Sequence, residues 1–201
     1  MITISARLAP DVLMRPVTPD DAAGLARAQR RSRAHLKRWD PARNDAFYTT
    51  EGQRAHLAAH RAEEEAERLL SWVLVRDGDG DGAGHGDGHG DGAGDDIVGG
   101  IVLSGIVRGQ FRSADLGYWV DVGHVGRGLA GAAVRQVCET ADSVLALHRI
   151  QAGTLLDNVA SQRVLAKNGF EAYGVAERYL HIDGAWRDHR LFQRILNDRR
   201  P

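Results

Sequence analysis

The spacing of apolar residues along the chain predicts alternating strands and helices. Short apolar runs bounded by turn residues are typical of strands, and apolar residues repeated every three or four positions are typical of helices. The predicted strands cover residues 12–17, 69–76, 97–107, 113–121, 148–155, 170–182 and 185–196, and the predicted helices cover residues 19–36, 50–68, 128–147 and 158–168. The order β-α-α-β-β-β-α-β-α-β-β predicts a mixed sheet with helices on both sides.

Helix caps and turn residues support several of these boundaries. Thr18 and Pro19 suit the cap and first turn of a helix. Asn158 is a favourable cap for the last helix, and Asn168-Gly169 is a typical helix end. The length of 201 residues fits one domain, residues 1–201, and is short for two.

Residues 77–96 interrupt the pattern with a sequence of low complexity. They contain seven acidic residues and nine glycines, with no lysine or arginine. Such a segment has almost nothing to bury, so it predicts a disordered loop inserted in a β-hairpin. His85 and His89 lie in it, but it lacks both the stacking residues of a calcium repeat and the glutamate of an EF-hand, so we expect no metal site.

Charge and cysteine content narrow the class of protein. Without the acidic loop the chain has 20 acidic and 26 basic residues, which suits a ligand with several phosphates, a partner containing RNA, or a solvated arginine-rich surface. The sequence contains no run of about 18 apolar residues, so it predicts no membrane span. The single cysteine, Cys138, cannot form an intramolecular disulfide, fits a reducing cytoplasm, and is expected to be buried rather than nucleophilic.

The candidate chemistry lies in residues 118–130, YWVDVGHVGRGLA, a strand that leads through a glycine-rich turn into a helix. Gly126 and Gly128 allow the backbone to approach a ligand, and the free amides of the helix start favour phosphate oxygens. Arg127 adds a positive charge. The turn is neither a Walker loop nor the dinucleotide fingerprint, because it has neither Gly-Lys-Ser/Thr nor three-glycine spacing.

Several short motifs follow one another along nearly the whole chain outside residues 77–96. They are Met14-Arg15-Pro16, Asp20-Asp21-Ala22, and residues 117–120, 126–130, 148–150, 157–161, 168–170, 183–184 and 186–188. With these motifs the chain resembles the GCN5-related N-acetyltransferase (GNAT) superfamily, and within it the RimJ/RimL-type branch that acetylates ribosomal-protein N-termini. The resemblance implies the GNAT fold, an α/β (α+β) architecture with a mixed, mostly antiparallel sheet of six to seven strands and about four helices.

The resemblance also implies acetyl-CoA as co-substrate, without a metal. Residues 125–130 would hold the pyrophosphate, although Val125 stands where the family has Arg or Gln, and the main chain of residues 119–122 would pair with the pantetheine arm. Asn158 would bind that arm or a water, and Arg163 and Lys167 either meet the remaining phosphate or are ordinary helix-surface charges. The implied cofactor-binding residues are Trp119, Val120, Val122, Val125, Gly126, Arg127, Gly128, Leu129, Ala130, Asn158, Arg163 and Lys167.

Catalytic residues follow less directly from the resemblance. Leu165 stands where many members have a tyrosine that protonates the thiolate, and Ser161 is the implied substitute; its alternative role is a local cap bond. Glu177 and His181 are candidate bases, which strand alternation puts on one face; both are otherwise exposed strand residues.

The acceptor is left open between two kinds of amine. Trp39, Phe47 and Tyr48 lie where the family builds its acceptor wall, and they line the groove or belong to the core. A protein N-terminus, possibly ribosomal, needs only a weak base, because an α-amine has a pKa of about 7.7–8.0. The alternatives are a small amine such as a polyamine, an aminoglycoside or a toxin, and a CoA sensor without turnover. We expect direct attack in a ternary complex, in a monomer or homodimer, with no direct contact to nucleic acid.

Overall fold

The computed structural model describes residues 4–77 and 95–200 of the chain. Its strands are β1 (Ala6–Ala9), β2 (Val12–Pro16), β3 (Leu70–Arg76), β4 (Asp96–Val107), β5 (Ser113–Val120), β6 (Arg149–Leu155), β7 (Glu171–Ile182) and β8 (Ala185–Ile195). Its α-helices are α1 (Ala22–Leu36), α2 (Thr50–Glu65), α3 (Leu129–Ser143) and α4 (Val159–Lys167). Short 3-10 helices cover Pro19–Asp21, Asp45–Tyr48 and Val122–His124.

The strands form one sheet in the order β1-β2-β3-β4-β5-β6-β8-β7. Every neighbouring pair is antiparallel except β5 and β6, which are parallel. The predicted mixed, mostly antiparallel architecture is confirmed, with eight strands in the described residues instead of six to seven. The additional strand, β1, pairs with β2 and has only four residues. Such a short strand is not predicted from a periodic pattern.

The helices cover both faces of the sheet, as predicted. On one face α1 and α2 bury Leu25, Ala28 and Leu57 against β3 and β4. On the other face α3 and α4 cover the larger core. The predicted apolar residues of the third helix that are buried there are Leu129, Ala133, Val134, Val137, Ala141 and Leu145. Val144 is 52% exposed, because α3 ends at Ser143, before the predicted boundary at residue 147.

Of the loop predicted at residues 77–96, residues 78–94, with His85 and His89, lie outside the described residues, and Asp96 is already the first residue of β4. At its two ends β3 and β4 pair antiparallel, with Arg76 opposite Asp96, which is the predicted hairpin. Within residues 4–77 and 95–200, no helix has both the length and the apolar character needed to span a membrane.

Strands β5 and β6 separate after a short contact. Their parallel pairing extends only from Ser113 to Asp115, opposite residues 149–151. Beyond it β5 runs on to Val120 and β6 to Leu155 without pairing to each other. The facing edges therefore carry main-chain donors and acceptors that an extended ligand can use.

Candidate active site

A cavity of about 430 Å³ lies between the α1–α2 side of the molecule and the sheet. Its wall on the helix side includes Arg33, Lys37, Asp40, Arg43, Phe47, Tyr48, His56 and His60. Its floor includes Trp72 of β3, residues 100–102 of β4 and residues 117–119 of β5. The floor thus reaches the part of β5 that has separated from β6, so the cavity and the strand opening share residues 117–119.

The glycine-rich turn after β5 has the backbone geometry predicted for it. Gly126 and Gly128 have φ values of 81° and 78°, in the left-handed region that favours glycine. A Cβ added at either position meets no atom within 4 Å, so both face open space. Gly128 caps α3, whose first N–H groups have no partner within the helix. The N–H groups at this helix start can therefore donate hydrogen bonds to the oxygens of a phosphate.

One feature of the turn, the environment of Arg127, differs from the expectation. The Arg127 guanidinium donates to Asp11 Oδ1 at 2.6 Å, so part of its positive charge is neutralised by the β1–β2 turn. That hydrogen bond also lowers the pKa of the Asp11 carboxyl. Val122 and Val125 are 40% and 50% exposed, and present apolar surface beside the turn. Binding of a phosphate group at this turn therefore depends mainly on backbone amides.

Asp121 fastens the start of this turn to α1. Its carboxylate is fully buried: Oδ2 accepts from Arg31 Nε at 2.8 Å and Ser32 Oγ at 2.7 Å, and Oδ1 accepts from the Gly123 amide at 3.0 Å. Ser32 Oγ also accepts from the Val122 amide at 3.1 Å. Burial alone raises the pKa of Asp121, but the bonds from Ser32 and Arg31 outweigh it and hold the pKa below its usual value. Our sequence analysis did not identify this residue as functional; an acid directly after a buried strand was the available signal.

Ser161 lies against Tyr118, which lines the cavity. Their side-chain oxygens are 2.8 Å apart, and Asn158 caps α4 by accepting from the Ser161 amide at 3.1 Å. Burial raises the pKa of Tyr118 to about 12, so the phenol keeps its proton at neutral pH. The single phenol proton has two acceptors within reach, Ser161 Oγ and the Ser161 carbonyl oxygen at 3.3 Å. When the phenol donates to Oγ, the serine proton is free for another acceptor. Tyr118 belongs to the motif at residues 117–120, but the sequence analysis gave its side chain no role.

Two of the three predicted acceptor residues line the cavity. Phe47 and Tyr48 line the cavity and pack edge to face, with ring centroids 5.5 Å apart. Trp39 is not part of the described cavity lining; its ring packs under the Arg38 guanidinium, 4.2 Å from the centroid. The cavity therefore does not support Trp39 as part of the acceptor wall. Trp39 lies in the turn that follows the end of α1 at Leu36.

The predicted bases lie on the exposed strand β7. The register between β7 and β8 shifts between Ala176 and Leu180, and Arg178 has a φ of 48°. This irregularity interrupts the simple alternation that we used to put Glu177 and His181 on one face. The His181 ring packs against Trp186, and the described cavity lining includes neither candidate base.

The remaining predicted cofactor residues lie on the strand, the turn and two helices around the opening. Val120 pairs with Gly99 of β4 through the other edge of β5, and Trp119 pairs with Gly100. Leu129 is buried at the start of α3, with Ala130 half-buried after it. Arg163 and Lys167 are exposed and one helical turn apart on α4. The structure leaves the role of these two side chains a prediction.

Two histidines of α2 line the cavity and were missed by the sequence analysis. The ring centroids of His56 and His60 are 4.1 Å apart. Burial lowers the pKa of His56 to about 4, with His60 and Arg43 adding to the shift, and burial also lowers the pKa of His60. Both rings are therefore neutral at neutral pH. Their four-residue spacing on a helix was the available signal.

The depressed histidine pKa predicts a specific acid sensitivity. Below about pH 6.5 the unfolded chain protonates His56 while the folded protein does not, so stability falls as the pH drops from about 6.5 towards 4. Replacing His56→Asn should reduce this loss. We expect the urea midpoint to fall less between pH 7 and pH 5 in the variant than in the wild type. An equal fall in both proteins contradicts the buried neutral imidazole.

Comparison with known proteins decides the family. The chain matches the acetyltransferase (GNAT) domain model over residues 11–171. It belongs to the GNAT acetyltransferase family. The resemblance found in the sequence is thereby confirmed. The glycine-rich turn, the strand opening and the cavity of this acetyltransferase lie within or beside the matched region.

Similar proteins with names and structures are consistent with that assignment. The acetyltransferase is 31% identical to the Escherichia coli [ribosomal protein uS5]-alanine N-acetyltransferase over 90% of this chain and 85% of the relative. It is 32% identical to the Bacillus subtilis protein named probable N-acetyltransferase YjcK, over 92% and 94% of the two chains.

Solved structures agree in fold and enzyme class. The Vibrio fischeri ribosomal-protein-S5-alanine acetyltransferase superposes with a TM-score of 0.84 at 30% identity, over 98% of this chain and 100% of that one. Mycobacterium smegmatis RimJ in complex with CoA-disulfide superposes with a TM-score of 0.80 at 32% identity, over 92% and 81% of the chains. The protein is thus an N-acetyltransferase of a family whose co-substrate is acetyl-CoA.

Proposed function

We propose that residues 1–201 act as one cytoplasmic domain that transfers the acetyl group of acetyl-CoA to the α-amine of a protein N-terminus. The observation that carries this proposal is the shared floor at residues 117–119, where the strand opening meets the cavity. The donor enters through the opening and the acceptor through the cavity. Relatives named for acetylating a ribosomal protein support the choice of acceptor.

The donor would be held mainly by backbone groups. The amides of residues 125–130 bind the diphosphate, and the main chain of residues 119–122 pairs with the pantetheine arm. Within that stretch the Asp121 and Val122 amides already donate to the Val98 carbonyl and to Ser32 Oγ, so the edge of β5 up to Val120 is the part left for the arm. Because the Asn158 side-chain oxygen accepts from Ser161, its amide nitrogen is the part that remains for the arm. Arg163 and Lys167 would meet the remaining phosphate.

Direct attack fits the position of the single cysteine. Cys138 is buried in the core face of α3, and burial raises the pKa of its thiol to about 11, so it stays protonated and inaccessible. In the reaction the neutral amine attacks the thioester carbon, the C–N bond forms and the C–S bond breaks. A main-chain amide near Val120 would polarise the carbonyl. The amine loses a proton and the departing thiolate gains one, so no acyl-enzyme is needed.

The two proton movements are assigned to different residues. The Ser161 hydroxyl, held by Tyr118, donates a hydrogen bond to the sulfur as negative charge develops on it. The departing thiolate takes its proton from this hydroxyl, which is reprotonated from water. Glu177 and His181 remain the proposed acceptors of the amine proton. They would act through water, because both are exposed and outside the cavity lining.

Loss of the serine hydroxyl should slow the chemical step. We expect Ser161→Ala to lower kcat by roughly 10- to 100-fold with little change in the KM for acetyl-CoA, because the bond to sulfur strengthens only in the transition state. Tyr118→Phe should have a smaller effect in the same direction. Tyr173→Phe is a matched control, since Tyr173 is exposed and its hydroxyl donates to Gln151 at 3.4 Å, away from Ser161. Unchanged turnover in Ser161→Ala would remove the residue from the mechanism.

An acceptor screen tests the proposed function itself. Release of CoA thiol from acetyl-CoA should depend on peptides with a free N-terminus and should stop when that amine is blocked. Turnover confined to spermidine or an aminoglycoside would instead support the small-amine alternative. Thermal stabilisation by CoA without thiol release for any amine would identify a CoA sensor.

A further inference from the structure

The acceptor cavity has a positively charged wall. Arg33 and Lys37 of α1 and Arg43 from the segment between α1 and α2 line it, with Asp40 as the carboxyl group among the described lining residues. Arg33 is paired with Asp45 at 2.6 Å, and Lys37 lies 3.6 Å from Asp183. These two charges are therefore partly balanced by exposed acids.

Arg43 is the cation that the described residues leave unbalanced. Its guanidinium lies 4.8 Å from the centre of the Phe47 ring, and no carboxylate within residues 4–77 and 95–200 forms an ion pair with it. Its charge nevertheless acts inside the cavity, because it lowers the pKa values of His56 and His60. Stacking on an aromatic face leaves the edge of a guanidinium free to form two parallel bonds with a carboxylate.

The other ionisable groups around Arg43 are two histidines and the carboxyl groups of Asp40 and Glu64. Burial lowers the pKa values of both histidines, which are neutral at neutral pH. Burial raises the pKa of Asp40 and Arg43 opposes that shift, and the two side chains form no ion pair within the described residues. Glu64, the acid that acts on His60, accepts from Ser71 Oγ at 2.7 Å and is not part of the described cavity lining.

We infer that the acceptor cavity selects N-terminal peptides with a carboxylate close to the acetylated residue, and that Arg43 is the residue that binds this carboxylate. The inference rests on the proposed function and narrows its substrate class. Phe47, Tyr48 and Trp72 provide apolar walls for the peptide, and the cationic wall repels acceptors with several positive charges. The same positive field favours the neutral, nucleophilic form of the bound α-amine.

A series of matched peptides tests this selectivity in the unmodified enzyme. Three hexapeptides differ only in carrying Glu, Gln or Lys as the third residue. We expect kcat/KM for the Glu peptide to exceed that for the Gln peptide by about fivefold, with the Lys peptide lowest. Because the effect is electrostatic at a partly exposed site, the ratio should shrink as salt rises from about 0.05 to about 0.5 M.

Charge changes at Arg43 test the assignment to this residue. Arg43→Gln should remove most of the preference for Glu over Gln, and Arg43→Glu should rank the Lys peptide above the Glu peptide. Arg61→Gln is the matched control, because Arg61 is exposed on α2, pairs with Glu65 and lies outside the cavity lining. It should keep the wild-type ranking. Thermal stabilisation by CoA in each variant checks that it is folded.

The outcomes separate this inference from the proposed function. Equal kcat/KM for the Glu and Gln peptides in the wild type overturns the inference and leaves N-terminal acetylation standing. An unchanged preference in folded Arg43→Gln overturns the role of Arg43. Acetylation of spermidine without turnover of any peptide overturns both, because the cationic wall is inferred to reject polyamines.

Discussion

Replacing Gly128→Val should lower kcat/KM for acetyl-CoA by about a hundredfold or more. Gly128 has a φ of 78° at the cap of α3, and an added Cβ meets no atom within 4 Å. A valine there would occupy the proposed diphosphate site, and a non-glycine residue in this conformation costs about 1–2 kcal/mol of stability. Steady-state kinetics with varied acetyl-CoA measures the first effect, and urea unfolding measures the second.

Gly109→Val separates the two effects. Gly109 has a φ of 70° in the turn between β4 and β5, and its added Cβ also meets no atom within 4 Å. This control should lose similar stability and retain nearly full activity, because it lies at the opposite end of β5 from the proposed site. Equal losses of activity in the two variants would mean that backbone strain, not occupation of the site, explains the result.

Replacing Asp121→Ala should reduce the free energy of unfolding by about 2–3 kcal/mol. The change removes the acceptor of Arg31, Ser32 and the Gly123 amide from a fully buried position. Arg31 keeps a weaker contact with Asp96 at 3.5 Å, which limits the loss. The variant should also raise the KM for acetyl-CoA more than it lowers kcat, because the turn is no longer fastened to α1.

Asp115→Ala is the matched control for this substitution. Asp115 lies on β5, the strand that Asp121 follows, but it is exposed, so its removal should change stability by less than about 0.5 kcal/mol. Asp121→Asn should fall between the wild type and Asp121→Ala, since an amide oxygen still accepts one of the bonds but the charge is lost. A raised KM without lost stability would contradict the proposed coupling between α1 and the turn.

Local patterns in the sequence were sufficient for most of the fold. The spacing of apolar residues in α3 predicts its buried face because helix geometry alone sets which residues share a side. Asn158 was recognised as a cap because the bond to the Ser161 amide spans only three residues. Both features depend on the nearest few positions, where the sequence carries the whole signal.

Long-range contacts account for what the sequence analysis missed. The partners of Asp121 on α1 are about 90 residues away, and Tyr118 meets Ser161 across 43 residues. The face that His56 and His60 present to the cavity depends on how α2 packs, and the irregularity in β7 depends on its register with β8. Such positions are set by tertiary packing, for which a single sequence has no local signal.

The most direct test titrates CoA and pantetheine into the wild-type protein and Gly128→Val by calorimetry. If the helix start of α3 holds the diphosphate, CoA gives saturable heat at one site in the wild type. Pantetheine, which lacks the diphosphate, should bind at least about a hundredfold more weakly, and Gly128→Val should lose the tight binding of CoA. Absence of CoA binding to the folded wild type, or equal affinity for CoA in the folded variant, would contradict the account.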